Sequence, residues 1–219
     1  PPYGLNIPYD GYNDNADDCL SNITPIIEQA VRCLKPGGRI CVNVMPNTNI
    51  NQPTHSLITQ QLMALGCVWI TEIIWNKGMV PNWYPRGSWA SPSKPWYQHS
   101  HEYIIVAGKG SWERQDSIKS KTMTNDQYKK WTTPLWNIQP QHQRTDQHPA
   151  QFPDELIERL IRLNTQPGEL ILDPFGGIGN TLIKSIQLDR YCHSIDQSQQ
   201  YSDQAQKRLD QELHFNTLF

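Results

Sequence analysis

The 219-residue sequence has no CxxC pair, and its five cysteines (Cys19, Cys33, Cys41, Cys67 and Cys192) stand far apart. That scatter argues against a structural zinc site or a disulfide framework and suits a reducing, intracellular compartment. No signal peptide and no membrane-spanning run is visible,. There is no initiating Met either, so the polypeptide is expected to start upstream. H-x-E together with P-C-x-x-C is missing, which removes the zinc deaminases. Net charge is only −2, so the chain as a whole is not a basic polyanion binder. The charge is unevenly placed, however. Residues 76–100 hold Lys77, Arg86 and Lys94 with no acid, and residues 108–147 carry seven Lys/Arg against four Asp/Glu, so a polyanion could dock locally,.

With 37% hydrophobic residues the chain can bury one large core, and we read one domain,. From Thr24-Pro25 the residues Ile26, Ile27, Ala30, Val31 and Leu34 recur at helical spacing until KPGG stops them,. RICVNVM reads as a buried strand. Leu57, Ile58, Gln61, Leu62 and Leu65 form a second helical stripe closed by Gly66, after which CVWITEIIW and EYIIVAG read as strands,. PDELIERLIRL then predicts a helix, ELILD a strand, TLIKSIQL a helix, YCHSID a strand and SDQAQKRLDQEL a last helix. This alternation predicts an α/β fold with a largely parallel sheet covered by helices on both faces. The Trp/Pro-rich stretch 76–100 and the polar stretch 108–147 escape the pattern and are longer than connections require, which suggests a functional reason for them.

ELILDPFGGIGNT (169–181) is the sharpest local signal. A strand ends at Asp173, and Gly176, Gly177 and Gly179 turn the chain into a helix, an arrangement that lets a ligand approach the backbone at the carboxyl edge of a parallel sheet,. A P-loop needs GxxxxGK[ST], and Lys184 comes too late without the preceding glycine. The dinucleotide fingerprint fails as well, because Leu182 stands where its third glycine belongs. The adenosyl cofactor of methyltransferases remains, and Asp196, ending the next strand, lies at the right distance to accept hydrogen bonds from both ribose hydroxyls. The alternative is an ordinary strand-to-helix turn.

The chain opens on PPYG, and PPY at 1–3 together with DPFGGIGNT at 173–181 resembles the amino-methyltransferases of DNA, whose motifs are [D/N/S]PP[Y/F/W] and DPFxGxGTT. With the catalytic motif first and the cofactor motif last, the order resembles the permuted β-class, as do LKPGGR (34–39), WNK…HEYII (75–105) and HPAQFP (148–153). The resemblance spans nearly the whole chain. It departs at Asn180, where the family usually has Thr, and in that the first catalytic-motif residue lies before Pro1. It implies a Rossmann-like, S-adenosylmethionine-dependent fold with a seven-stranded, mostly parallel sheet and an antiparallel hairpin at one edge, formed by 67–75 and 101–107. It further implies a catalytic half (1–107), a candidate target-recognition insert (108–147) and a cofactor-binding half (148–219).

An exocyclic base amine is a poor nucleophile because its lone pair is delocalised into the ring, so acceptors must grip its N–H bonds. By resemblance these acceptors are the unseen first side chain and the carbonyl of Pro1, held rigid by Pro1 and Pro2, with Tyr3 stacking on the flipped base. The cofactor is expected on Asp173, Pro174, Phe175, Gly176, Gly177, Gly179, Asn180, Thr181 and Asp196. His148, Gln151 and Phe152 are expected to close over its methionine end, although HPAQFP could be only a helix lead-in. His99 and His101 alternate onto one strand face, but no third metal ligand is evident, and no metal is expected.

Double-stranded DNA is the expected partner, met by Lys77, Arg86, Trp89, Ser91, Lys94, Lys129 and Lys130. The aromatic stretch could instead be a hydrophobic lid, and 108–147 a solvated loop. GSWASPSKP (87–95) with HPAQFP resembles the subgroup carrying Ser before PPY, in which cytosine-N4 enzymes are frequent, so the resemblance implies restriction-modification DNA methylation on the cytosine amino group. Adenine N6 is the alternative, and a catalytically silent DNA-binding relative is the alternative from another class. Homodimers are common in the β-class.

Overall fold

The computed structural model describes residues 1, 2, 4, 8–10, 12–14, 19–46, 52–78, 87–97, 99–114, 121–140 and 151–216. Within them the elements follow the order β1 (Pro8–Tyr9), β2 (Tyr12–Asn13), α1 (Cys19–Cys33), β3 (Arg39–Val44), α2 (Thr54–Ala64), β4 (Cys67–Asn76), β5 (His101–Lys109), α3 (Asn125–Trp131), β6 (Leu135–Asn137), α4 (Asp154–Asn164), β7 (Leu170–Asp173), α5 (Asn180–Gln187), β8 (Tyr191–Ser194) and α6 (Gln199–Asn216).

The α/β alternation holds, but the sheet differs from the seven-stranded, mostly parallel one expected. Among the described residues it is a four-stranded mixed sheet, β3-β5-β4-β6, beside a parallel pair, β7-β8, and a small antiparallel pair, β1-β2. β5 runs antiparallel to both β3 and β4, and β4 pairs in parallel with β6. The hairpin of β4 and β5 therefore forms as expected, but not as a free edge. β5 is interior, and its near-continuous apolar run, buried from Ile104 to Ala107, fits a strand covered on both faces,. β6 takes the place beyond β4.

One face of this sheet carries Val42, Val44, Ile105 and Ala107 against Ile23, Ile27 and Val31 of α1 and Ile58 and Leu62 of α2. Residues four apart on α1 share one face, which is why Cys19 joins the same stripe,. α1 thus starts well before the expected Thr24-Pro25, and Pro25 lies inside it. A proline there forfeits one backbone hydrogen bond, and the buried stripe from Cys19 to Val31 keeps the helix continuous across it.

The opposite face carries Ile73, Trp75, Ile104, Val106 and Trp136, which cluster with Ile138 and with Leu156 of α4. α4 turns Leu156 to this cluster and Ile157 and Ile161 to a third one with Leu188, while Phe152 packs on both. That helix and the residue pair before it therefore join the four-stranded sheet to the parallel pair.

The sequence pattern assigns no regular element to the insert 108–147, yet 121–140 fold onto the sheet. Thr124 starts α3 with a reciprocal capping box to Gln127, Trp136 is fully buried, and its indole donates to the Trp131 carbonyl at 3.0 Å. Trp75 donates to the Ile138 carbonyl at 2.9 Å, and the guanidinium of buried Arg159 lies 5.1 Å from the Trp136 ring. No helix among the described residues is long and apolar enough to cross a membrane.

Candidate active site

The glycine motif expected from the sequence follows β7, the first strand of the parallel pair. β7 ends at Asp173, whose Oδ1 accepts from the Phe175 N–H at 3.0 Å, and the chain turns through Gly176–Gly179 into α5. Two of the three glycines have packing reasons. A Cβ on Gly176 would stand 1.9 Å from Ser194 Oγ of β8, and one on Gly179 would stand 2.9 Å from Ala205 Cβ of α6, with φ at +83° besides. The turn is thereby pressed between β8 and α6.

The Gly177 N–H donates to Asp196 Oδ2 at 2.8 Å, so the carboxylate lies directly across the turn. The Ser198 N–H donates to Asp196 Oδ1 at 2.9 Å. β8 ends at Ser194, two residues before Asp196, rather than at it. A carboxylate offers about four lone-pair sites. Two are used here, leaving acceptor capacity for a pair of hydroxyls.

The opening segment docks on the same region. Ser198 Oγ donates to Asp10 Oδ2 at 2.5 Å, and the Asp10 N–H points to the Tyr201 hydroxyl at 3.4 Å, which ties the β1-β2 turn to the start of α6. Cys19 Sγ donates to the Pro2 carbonyl at 3.4 Å, and the Gly4 N–H donates to Asp14 Oδ1 at 2.7 Å. Burial pushes the Cys19 thiol up to about 11, with Asp14 adding to the shift, so it stays a protonated donor. Pro1 lies near the carboxylates of Asp173, at the end of β7, and of Glu102, at the start of β5. The carbonyl held by Cys19 is that of Pro2, not that of Pro1.

Glu102 is buried at the start of β5 and accepts from Asn43 of β3 and from the Lys77 ammonium, which lies 4.6 Å from the centroid of the Trp75 ring. Lys77, expected at DNA, is thus engaged in an internal ion pair. Phe152 packs 6.0 Å from Trp75, centroid to centroid. Asp173 and Asp196 bring carboxylate acceptors to the glycine turn, and Asp10 adds a third through Ser198, a set suited to hydroxyl and cationic donors,. Asp10, Asp14, Ser198, Glu102 and Asn43 are not singled out by the sequence. Most of their partners lie on other elements, and no local spacing marks them.

Of the other expected residues, Pro174, Phe175, Asn180, Thr181, Gln151 and Phe152 lie on or beside the turn, while Tyr3, His148 and Arg86 lie outside the described residues. Gly87 and Pro95 bridge a compact turn in which Ser88 Oγ accepts from the Lys94 N–H at 2.7 Å and donates to the Ser91 carbonyl at 2.9 Å. It exposes Trp89 and Lys94. Lys129 and Lys130 are exposed on α3, and Tyr128 beside them is 58% exposed. His101 stacks edge-on to Tyr103 at 5.0 Å, and His99 to His101 at 5.6 Å, an aromatic row. Among the described residues no group of three His, Cys, Asp or Glu is placed to hold a metal.

The Type II methyltransferase M.MjaI of Methanocaldococcus jannaschii is 31% identical over 190 residues, covering 80% of this chain and 62% of the relative. The Type II methyltransferase M.BglII of Bacillus subtilis is 26% identical over the whole chain and 64% of its own length. The chain therefore spans somewhat under two thirds of these relatives. The solved structure of TTHA0409 from Thermus thermophilus, described as a putative DNA modification methylase, superposes with a TM-score of 0.71 at 26% identity, covering 90% of this chain and 78% of that one. A further structure of the same protein, 23% identical, holds S-adenosyl-L-methionine. The cytosine-N4-specific PvuII DNA methyltransferase shares the fold at TM-score 0.66 and 19% identity, over 94% of this chain and 75% of that one. Residues 1–207 match the family described as DNA methylase, and the chain belongs to this N6/N4 methyltransferase family.

Proposed function

We propose that the protein transfers a methyl group from S-adenosylmethionine to an exocyclic amino group of a base in double-stranded DNA, and that the base is cytosine, modified at N4. The observation that carries the reading is the placement of Asp196 across the glycine turn, 2.8 Å from the Gly177 N–H, beside Ser198, whose hydroxyl holds Asp10 of the opening segment. When bound, the cofactor supplies an electrophilic methyl on a sulfonium.

The chain's own residues do the rest. Asp196 accepts from the ribose hydroxyls, and Asp173 adds negative charge near a cationic ligand. The Pro1 carbonyl accepts from the target amine, drawing it towards tetrahedral geometry, and the proline pair limits the motion of that acceptor. Cys19 and Asp14 fix the segment from behind by holding the Pro2 carbonyl and the Gly4 N–H. Tyr3 stacks on the extruded base, a contact of about 1–3 kcal/mol. No covalent intermediate is needed, so alignment supplies much of the acceleration, on the order of 7–11 kcal/mol for well-oriented reactants. Segment 108–147 with the turn at 87–97 contributes to target recognition through Trp89, Lys94, Lys129 and Lys130. GSWASPSKP and the HPAQFP segment favour cytosine over adenine. The test is methyl transfer from S-adenosylmethionine to duplex DNA by the full-length protein, followed by identification of the modified base.

A further inference from the structure

Asn180 is the one position of the glycine motif where the chain departs from the expected threonine, and its surroundings give the substitution a use. Arg208 of α6 reaches behind the turn. Its Nη1 donates to the Ile178 carbonyl at 2.6 Å and to Asn180 Oδ1 at 2.7 Å. A guanidinium only donates, so the carboxamide oxygen must face it, and the carboxamide nitrogen must then point the other way. That nitrogen faces the Phe152 carbonyl at 3.5 Å. Asn180 therefore connects three segments: α6, the turn into α5, and the strap 151–153 that precedes α4. Phe152 in turn packs on Trp75 and on both cores flanking α4.

Threonine could not make this connection. It has a single oxygen on a shorter arm, whereas the carboxamide presents an acceptor and a donor on separate atoms. Aspartate would keep the acceptor towards Arg208 and set a second oxygen against the Phe152 carbonyl. The two variants thus separate the link to α6 from the link to the strap.

We propose that Asn180, held by Arg208, is a positioning residue that couples the glycine turn to the strap at 151–153, so that occupation of the turn and placement of the strap are one event. The proposal rests on the reading that the turn holds S-adenosylmethionine. It does not place Asn180 or Arg208 in contact with the reacting atoms.

The experiment compares wild-type full-length protein with Asn180→Asp and Asn180→Thr in two measurements. Hydrogen exchange without cofactor reads the strap itself. Both variants should lose protection over 152–157 while α5 and the melting temperature of Asn180→Asp stay at wild-type levels. Calorimetry with S-adenosylmethionine should then show affinity falling roughly three- to tenfold in Asn180→Asp, with KM for the cofactor raised. Unchanged strap protection in a folded Asn180→Asp variant would overturn the coupling, whatever the cofactor does. Failure of the wild-type protein to bind S-adenosylmethionine would instead refute the reading of the turn, and the exchange result would still decide the coupling.

Discussion

Asp196 is the residue on which the cofactor assignment stands. Its carboxylate already gathers two backbone N–H groups, so it is fixed in place before any ligand arrives. Replacing it with alanine should weaken S-adenosylmethionine binding by roughly 1.5–3 kcal/mol, the scale of hydrogen bonds to a charged group. Calorimetry giving wild-type affinity in a folded Asp196→Ala protein would remove the assignment. Lys77 is a second informative residue. Its ammonium pairs with Glu102, whose side chain is 7% exposed, so Lys77→Met takes the cation away from a buried carboxylate. Lys77 keeps some exposure, so the loss should be about 3 kcal/mol, the lower end for a broken buried pair. Urea unfolding reads it, and a loss well under 1 kcal/mol with a smaller salt slope in DNA binding would return Lys77 to a phosphate contact. The place of Asp196 beside the turn is legible in the sequence because it sits at a fixed interval after the glycines. That of Glu102 is not, because its partners, Asn43 of β3 and Lys77 after β4, come from separate strand ends that only the sheet brings together.

The long elements are legible for a plain physical reason. The stripe on α1 and the apolar runs of β3, β4 and β5 are periodic, and the core sorts them by face. α3 and β6 escape a reading of the sequence because they are short and show no apolar period, and what orders them is remote: the buried ring of Trp136, the Arg159 guanidinium and the edge of β4. The true start of α1 is hidden by Pro25, which normally reads as a first-turn residue. The fold of 121–140 sharpens the expectation for DNA. α3 is anchored by Trp131 on one side and presents Lys129 and Lys130 on the other. If these lysines meet phosphates, neutralising both should weaken binding alike for all duplex sequences and reduce the salt slope by about 0.9 per contact. A slope equal to that of the wild type would make this helix a solvated surface.

Across the protein as a whole, the four-stranded sheet and the parallel pair are held together partly by charge. Glu169, at the entry to β7, pairs with Lys35 after α1 at 2.5 Å and with Arg114 beyond β5 at 2.6 Å. Burial works to raise its carboxyl pKa, but the hydrogen bonds from Lys35, the Gln166 N–H and Arg114 outweigh it and hold the group below its ordinary value. A depressed folded-state pKa stabilises the fold above the unfolded value, and this contribution fades as pH falls through the folded one. The wild type should therefore lose stability relative to Glu169→Gln below about pH 4.5. At pH 7 the variant should be less stable by only roughly 1 kcal/mol, since the pair is partly screened. Chemical denaturation at both pH values checks this, and parallel pH profiles would contradict it.

The same meeting of the two parts sets Pro1 near the Asp173 carboxylate at the head of the glycine turn, and on it rests the proposal that this edge methylates a base amine. Nucleoside mass spectrometry of duplex DNA treated with the full-length protein and S-adenosylmethionine is the decisive measurement. N4-methylcytosine is the expected product. Methyladenine alone would contradict the cytosine assignment, and no methylated nucleoside from a protein that binds both DNA and cofactor would contradict the enzymatic reading altogether.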